Sequence, residues 1–203
     1  MDKETLKQFC SYDNLRKEIM EPWTRGDYTY ATNGKIIIRV PRISDIPENP
    51  AAPNVNRSIP WNAPVFTEAS APIPDLPKDQ FLSCARCDGT GKNSECPECE
   101  GEGVVTWETK RHGYEADCEE CDGFGRVAAG TKAEECNRCN GTGKIEQDIF
   151  VPVRGVSFNK KYLTLIKSLP EAILFPEPEV AGKFPPSRFA FNGGDGFVMP
   201  VKV

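Results

Sequence analysis

The sequence predicts an α+β fold, in which a cysteine-rich hairpin module interrupts a pseudo-symmetric domain made of two helix-plus-hairpin halves. Three observations predict it. A segment with helical periodicity precedes a hairpin signal near the start of the chain, and the same order recurs near its end. Between them lie four copies of one cysteine and glycine pattern, which supply eight of the nine cysteines. A repeated motif between two similar halves indicates a small domain with an inserted module.

The first half begins with a predicted helix over residues 2–20. Asp2 can cap its start, and Pro22 follows its end. The run 27–40 carries Asn33-Gly34 between two β-rich stretches, which is the strongest short-range signal for a hairpin. The apolar residues at near-helical spacing, which we expect to face inward, are Leu6, Phe9, Cys10, Leu15 and Ile19.

The second half repeats this order. Residues 145–158 have the composition of strands, 160–169 predict a short helix, and 188–203 predict a second hairpin around Asn192-Gly193. The residues expected on the inner face of this helix are Tyr162, Leu163, Ile166 and Leu169.

A proline-rich segment, 41–77, lies between the first hairpin and the cysteine-rich module. It holds nine of the 18 prolines, which disfavour regular structure. We expect either an extended strap over the core, anchored by Trp61 and Phe66, or a disordered linker. The predicted boundaries are therefore 1–82 for the first half, 83–144 for the module and 145–203 for the second half.

The cysteine pattern is Cys-x-x-Cys-x-Gly-x-Gly. A spacing of two residues lets one tight turn direct both sulfurs at a single ion, and the glycines permit positive φ and close backbone approach. Four such pairs supply two four-sulfur sites, for which zinc is the expected metal. Disulfides fit less well, because the start of the chain lacks the apolar core of a signal peptide and the cysteine count is odd. The copies begin at Cys84, Cys96, Cys118 and Cys136.

Over residues 84–143 these motifs resemble the cysteine-rich domain of the DnaJ chaperone family, which binds two zinc ions. In that family the first motif shares an ion with the fourth, and the second with the third. The resemblance implies two sets of ligands in this chain. They are Cys84, Cys87, Cys136 and Cys139 for one zinc, and Cys96, Cys99, Cys118 and Cys121 for the other.

The resemblance does not extend to co-chaperone activity. A J domain needs a His-Pro-Asp loop, and the single histidine, His112, is followed by Gly113-Tyr114. The Gly/Phe-rich linker is absent as well, and the 60 residues after Gly143 are too few for the tandem substrate-binding domains of that family. We therefore expect a zinc module of DnaJ type in a different host protein.

The flanking halves weakly resemble one domain of a bacterial DNA sliding clamp. An Ala-Thr-Asp-Gly turn of that family is similar to Ala31-Thr32-Asn33-Gly34, and its closing Met-Pro stretch is similar to Met199-Pro200. Two unrelated hairpins in a small core explain the same residues. Both interpretations stay open from the sequence.

Charge separates the module from its surroundings. Residues 84–143 carry 13 acidic and 7 basic side chains, and two zinc ions with eight thiolates would bring this stretch to about −10. Nucleic-acid surfaces need clustered Lys and Arg, so we expect a protein partner and no nucleic-acid binding by the module. No apolar stretch is long enough for a transmembrane helix, and we expect a cytoplasmic protein.

Catalysis is not expected. The sequence offers no nucleophile–base pairing and no phosphate-binding loop, and four thiolates leave a zinc ion no open position. With eight cysteines sufficient, His112 is expected to be an exposed hairpin-tip residue. Trp107 and Tyr114 could contact a bound protein, although strand packing explains them equally well.

Three functions compete at this stage. The first is a non-enzymatic zinc protein that uses its cysteine-rich arm to bind a protein partner, including unfolded chains as a chaperone would. The second is a replication-linked accessory protein similar to a sliding clamp, and the third is thiol–disulfide exchange by metal-free Cys-x-x-Cys pairs. The partner and the oligomeric state cannot be named from the sequence.

Overall fold

A computed structural model describes residues 1–55, 59, 61, 70–128 and 133–202. The chain divides into two compact units. The sheet unit comprises Met1–Pro77 and Asp148–Val203, and the cysteine unit comprises Lys78–Gln147. Within the described residues, no helix is both long and apolar enough to span a bilayer.

The sheet unit is built on a seven-stranded sheet with antiparallel neighbours, in the order β1-β2-β3-β16-β15-β14-β4. Both predicted hairpins form within it, one from β2 and β3 and the other from β15 and β16. A third hairpin, outside the large sheet, joins β12 (Phe150–Val153) to β13 (Val156–Asn159). The strands of the large sheet are β1 (Trp23–Arg25), β2 (Tyr28–Thr32), β3 (Ile36–Pro41), β4 (Ala71–Pro72), β14 (Ile173–Phe175), β15 (Ser187–Phe191) and β16 (Gly194–Val198).

The predicted α+β class, a pseudo-symmetric helix-plus-hairpin domain, is wrong. The protein is mostly β, with 35% of the described residues in strands and 12% in helices. The two hairpins are joined by pairing of β3 with β16, in a register that sets Arg39 opposite Asp195. They belong to one continuous sheet of seven strands.

The predicted helix over 2–20 is also wrong. Helix α1 (Lys3–Lys7) is capped by Asp2 as expected, but a separate 3₁₀ helix then covers Asn14–Ile19. Ser11 Oγ accepts from the Asp13 N–H at 3.1 Å, and the Asp13 carboxylate accepts from the Leu15 N–H at 2.9 Å. Such local side-chain bonds compete with helix bonds, so the helix stops early and Leu15 is exposed.

The second predicted helix is confirmed. Helix α2 (Lys160–Lys167) begins after Asn159, whose side-chain oxygen accepts from the Lys161 N–H at 3.0 Å. All four residues expected to face inward are buried: Tyr162, Leu163, Ile166 and Leu169.

The large sheet carries an apolar cluster on each face. Alternation along β3 directs Ile36 and Ile38 into a cluster shared with both helices, while Ile37 joins a second cluster on the opposite face. Cys10 is buried in the first cluster, and burial raises the pKa of its thiol to about 12. The second cluster consists of Ile19, Trp23, Tyr30, Ile37, Ala52, Val55, Trp61 and Phe197.

The described residues between 42 and 61 of the proline-rich segment pack against the sheet as a strap, and Ala71–Pro72 form its edge strand β4. The Thr24 N–H donates to the Pro47 oxygen at 3.0 Å, and Arg25 donates to the Ala52 oxygen at 3.1 Å. Trp61 is buried beside Tyr30 and Phe197 and so is an anchor, as predicted. The other predicted anchor, Phe66, lies outside the described residues.

The described residues of the cysteine unit form short strands and one short 3₁₀ helix (Glu119–Cys121). The strands form a two-stranded sheet of β11 and β5, a three-stranded sheet in the order β10-β6-β9, and a β7–β8 hairpin. Its buried clusters consist of the cysteines themselves, with Ile145 at one and Val105 and Val127 at the other. The strands are β5 (Phe81–Ser83), β6 (Lys92–Glu95), β7 (Val104–Glu108), β8 (Gly113–Asp117), β9 (Arg126–Ala128), β10 (Glu134–Glu135) and β11 (Lys144–Glu146).

Candidate metal centres

Each cysteine motif folds into the same tight turn. In the first motif the Cys84 oxygen accepts from the N–H groups of Cys87 and Gly89 at 3.2 and 3.1 Å. The turn needs positive φ at the glycines, as predicted, but also at the residue directly after the second cysteine. That residue is left-handed in all four motifs, and sequence reasoning missed it. It is Asp88, Glu100, Asp122 or Asn140, and Asp and Asn tolerate this conformation better than most residues.

The turns associate in pairs through reciprocal backbone hydrogen bonds. The Cys84 N–H donates to the Gly143 oxygen at 2.9 Å, and the Cys136 N–H donates to the Gly91 oxygen at 2.8 Å. This exchange binds the first motif to the fourth. The same exchange binds the second motif to the third, from Cys96 to Gly125 and from Cys118 to Gly103, both at 2.9 Å.

The last glycine of each motif is required by this association. A Cβ atom built on Gly143 would collide with the Gly89 carbonyl oxygen, and one on Gly91 would collide with that of Gly141. Both glycines also have positive φ, at 71° and 78°. The last glycine of each repeat is therefore needed for two reasons: two backbones approach each other closely there, and the residue has a positive φ.

Each pair of turns brings four sulfurs together. The first tetrad joins the first and fourth motifs, the second tetrad joins the second and third, and the sulfurs of each lie within 4.8 Å of one another. These are the groupings that the DnaJ resemblance implies. The members are Cys84, Cys87, Cys136 and Cys139 in the first tetrad, and Cys96, Cys99, Cys118 and Cys121 in the second.

The sulfur separations fit a tetrahedral ion. Four sulfurs at about 2.3 Å from a central zinc ion are about 3.8 Å apart. The Cys84–Cys136 and Cys87–Cys139 sulfurs are separated by 4.0 and 3.7 Å, and the corresponding distances in the second tetrad are 3.8 and 3.7 Å. A disulfide would need about 2.05 Å. Each tetrad is positioned to hold one metal ion, consistent with two zinc ions.

Backbone donors surround the sulfurs. In every motif the N–H of the last glycine points at the second cysteine, for example from Gly91 to Cys87 Sγ at 3.3 Å and from Gly143 to Cys139 Sγ at 3.2 Å. The other two contacts are also 3.2 Å long. Such donors orient metal-binding thiolates and offset their negative charge.

Burial and nearby backbone N–H groups shift the pKa values of the thiols in different directions. Burial raises the pKa of Cys84 to about 11 and that of Cys118 to about 12. Burial acts in the same direction at Cys136, but N–H groups of Cys139 and Arg138 and the neighbouring thiols outweigh it and lower the pKa to about 7. Cys84 and Cys118 are therefore protonated at neutral pH in the absence of a cation, and metal binding would release their protons.

The two tetrads differ in the charges beside them. In the first tetrad the residues between the cysteines include Arg86 and Arg138, whereas in the second they include Glu98, Glu119 and Glu120. The Arg86 guanidinium also lies 4.9 Å from the ring centre of Phe124, which belongs to the third motif. One cation–aromatic contact thus links the turns of the two tetrads.

The remaining candidate residues lie on the β7–β8 hairpin. His112 is exposed in its turn, as predicted, and belongs to neither tetrad. Trp107 and Tyr114 face each other across the strands with ring centres 5.7 Å apart, and each is about half exposed. They form an aromatic surface rather than a core.

Comparison with protein-family models, with curated proteins and with solved structures finds no match to this chain. The DnaJ and sliding-clamp resemblances therefore rest on the residues that carry them. The metal centres do not depend on either, because they follow from the positions of the sulfurs.

Proposed function

We propose that this chain is a non-enzymatic zinc protein whose cysteine unit is a rigid module for binding a protein partner, in particular an extended or unfolded segment. One observation carries the proposal: both tetrads are buried and consist of cysteine alone. An ion with four thiolate ligands has no open position for water or substrate, so its role is structural. Stabilising a binding surface is then the simplest use of the unit.

Charge and exposure favour a protein as the partner. The cysteine-rich stretch is acidic, at −6 before metal binding and about −10 after it. It also exposes Trp107 and Tyr114 together with Phe124. Exposed aromatic side chains are enriched where proteins bind one another, and strong negative charge repels nucleic-acid phosphates.

Binding of an unfolded chain tests this function directly. Reduced, carboxamidomethylated ribonuclease A is a suitable probe, because it is unfolded, basic and free of thiols that would compete for zinc. We expect the full chain to bind the labelled probe with micromolar affinity in fluorescence anisotropy and to bind native ribonuclease A much more weakly. Equal affinity for the folded and unfolded forms, or no binding of either, would contradict the proposal.

The clamp-like alternative needs a basic face on the sheet unit, and the ion pairs there weaken it. Arg39 lies 2.6 Å from Asp195 and stacks over Trp61 on one face of the sheet, whereas α2 with its lysines packs on the opposite face. Arg42 pairs with Glu48.

A gel shift with duplex and single-stranded DNA at low salt distinguishes the two functions. Micromolar, steeply salt-dependent binding would favour the alternative.

Thiol–disulfide exchange is the third candidate. The cysteines of each tetrad lie close enough to exchange disulfides once an ion leaves. Catalysis of insulin reduction by the metal-free protein, above the rate of the reductant alone, would favour this function over ours. We expect the loaded protein to be inactive, because its sulfurs are buried and occupied by metal.

A further inference from the structure

The β7–β8 hairpin has two chemically different faces. Directly opposite residues of antiparallel strands share a face, and alternate residues lie on opposite faces. One face therefore carries the pairs Trp107–Tyr114 and Val105–Ala116, and is apolar. The other face carries Val104, Thr106 and Glu108 of β7, and Glu115 and Asp117 of β8, so all its charged residues are acidic.

Strand β8 shows this division most clearly. Its sequence, Gly-Tyr-Glu-Ala-Asp, alternates apolar and acidic residues after the glycine, and all five residues are exposed. Among the described residues β8 pairs only with β7, so its other edge carries no partner strand. Unpaired strand edges are templates for the addition of another strand.

Hydrogen-bond alternation shows which groups the free edge offers. The Thr109 N–H donates to the His112 oxygen, and the Cys118 N–H donates to the Gly103 oxygen, at 2.7 and 2.9 Å. Hydrogen-bonded pairs alternate along an antiparallel ladder, so the backbone groups of Gly113, Glu115 and Asp117 point away from β7. The edge thus presents donors and acceptors in the spacing of a strand.

We propose that the free edge of β8 binds an extended polypeptide strand in which apolar and basic residues alternate. This inference rests on the proposed function and names the binding site and the chemistry of the bound segment. A strand added at this edge directs alternate side chains to the two faces of the hairpin. Apolar side chains would then lie beside Tyr114 and Ala116, and basic side chains beside Glu115 and Asp117.

Charge argues against a second copy of this chain as the occupant. Pairing of β8 with another β8 would bring Glu115 and Asp117 near the same carboxylates of the partner strand, and like charges opposite each other destabilise a sheet. A basic segment would instead be attracted by these carboxylates. At the hairpin tip, Lys110 and Arg111 repel basic residues, so the basic positions of the bound strand belong beside the acidic residues nearer Cys118.

Three capped octapeptides without tryptophan test the proposal. The first alternates valine or isoleucine with lysine, the second replaces each lysine by glutamate, and the third has the composition of the first with its four lysines in one block. Trp107 is exposed while Trp23 and Trp61 are buried, so a change in fluorescence that Trp107→Phe abolishes reports binding at the hairpin. We expect the alternating lysine peptide to bind at least tenfold more tightly than either of the others.

Variants of Glu115 separate edge pairing from simple charge attraction. Glu115→Pro removes the outward N–H while leaving the β7–β8 bonds intact, and Glu115→Ala removes the same charge but keeps that N–H. We expect the proline variant to lose at least a further fivefold in affinity relative to the alanine variant. Glu115→Lys should abolish the preference for the lysine peptide, whereas the matched charge change Glu102→Lys should not. Retention of two zinc ions by each variant shows that it is folded.

Three results would overturn the inference: equal affinity for the alternating and block peptides, equal affinity of the proline and alanine variants, or a dimer that Glu115→Pro dissociates. If unfolded ribonuclease A still binds in any of these cases, the proposed function stands and only the site assignment fails. If the unfolded probe does not bind at all, the proposed function itself fails.

Discussion

The two units of this protein are stabilised in different ways. The sheet unit buries apolar side chains on both faces of a seven-stranded sheet, including Phe9, Tyr30 and Phe189. The cysteine unit has short strands, and its buried clusters are formed by the eight metal-site cysteines with a few flanking aliphatic residues. In the first unit the hydrophobic effect supplies the stability, and in the second metal coordination replaces it.

This difference explains why one chain can contain both units. Close-packed cores need many apolar residues, which a small hairpin module with 13 acidic side chains in residues 84–143 does not have. Two ions fix its turns without a core, and strand β8 is exposed along its whole length. The aromatic residues and the strand edge that a conventional core would cover then remain available for binding.

Removal of metal should have the largest effect and should separate the units. Structural zinc supplies on the order of 10–16 kcal/mol per site in small zinc domains. We expect chelation under reducing conditions to unfold residues 84–143 and to leave the sheet unit folded, because its clusters contain no metal site. Amide spectra by NMR would show collapse of the cysteine-unit resonances alone. Loss of all native resonances would mean that the sheet depends on the metal.

Loss of one ligand should release one ion. Cys84→Ser removes a sulfur from the first tetrad only, so we expect about one zinc ion to remain per chain, bound by the second tetrad. Cys10→Ala is the matched control, since Cys10 is buried in the sheet unit and belongs to neither tetrad, and should keep both ions. Loss of both ions from the Cys84 variant alone would contradict two independent sites.

A cavity in the sheet core should destabilise the sheet unit and leave the metal sites of the cysteine unit unchanged. Phe189 is fully buried, and Phe189→Ala should cost about 3–5 kcal/mol of unfolding free energy. Denaturant unfolding followed through the buried Trp23 and Trp61 would measure it. Zinc content should not change. A variant that also loses metal would show that the units are thermodynamically coupled.

A single methyl group at the turn interface should have the smallest effect of the four. Gly143→Ala combines a positive φ with a collision against the Gly89 oxygen, at a cost of roughly 1–3 kcal/mol. We expect about tenfold weaker zinc retention by the first tetrad in competition with a colorimetric chelator. Gly113→Ala is the control, because a Cβ there meets nothing within 4 Å. If both variants retained zinc equally well, the close approach of the two backbones would not be the reason for glycine at position 143.

Local signals predicted most of the metal centres and part of the fold. The cysteine and glycine spacing is repeated four times, so two tetrads could be predicted without knowing any other part of the structure. The hairpins at Asn33-Gly34 and Asn192-Gly193 were predicted because two-residue turn chemistry acts locally. The helix α2 was predicted because its four buried residues follow helical spacing.

The rest of the fold depends on long-range strand pairing and on side-chain hydrogen bonds that compete with helix formation. Local sequence patterns show neither. Pairing of β3 with β16 joins residues about 160 positions apart and merges the two predicted hairpins into one sheet. The predicted helix over 2–20 is wrong because the side chains of Ser11 and Asp13 accept hydrogen bonds from nearby backbone N–H groups. The alternation in β8 is visible in the sequence, but its free edge is a property of the folded sheet.

X-ray absorption at the zinc edge, calibrated for metal content, tests the central claim most directly. The account predicts two zinc ions per chain, each bound by four sulfurs at about 2.3 Å with no nitrogen or oxygen ligand. One zinc ion per chain, iron in place of zinc, or a mixed shell containing nitrogen or oxygen would contradict it.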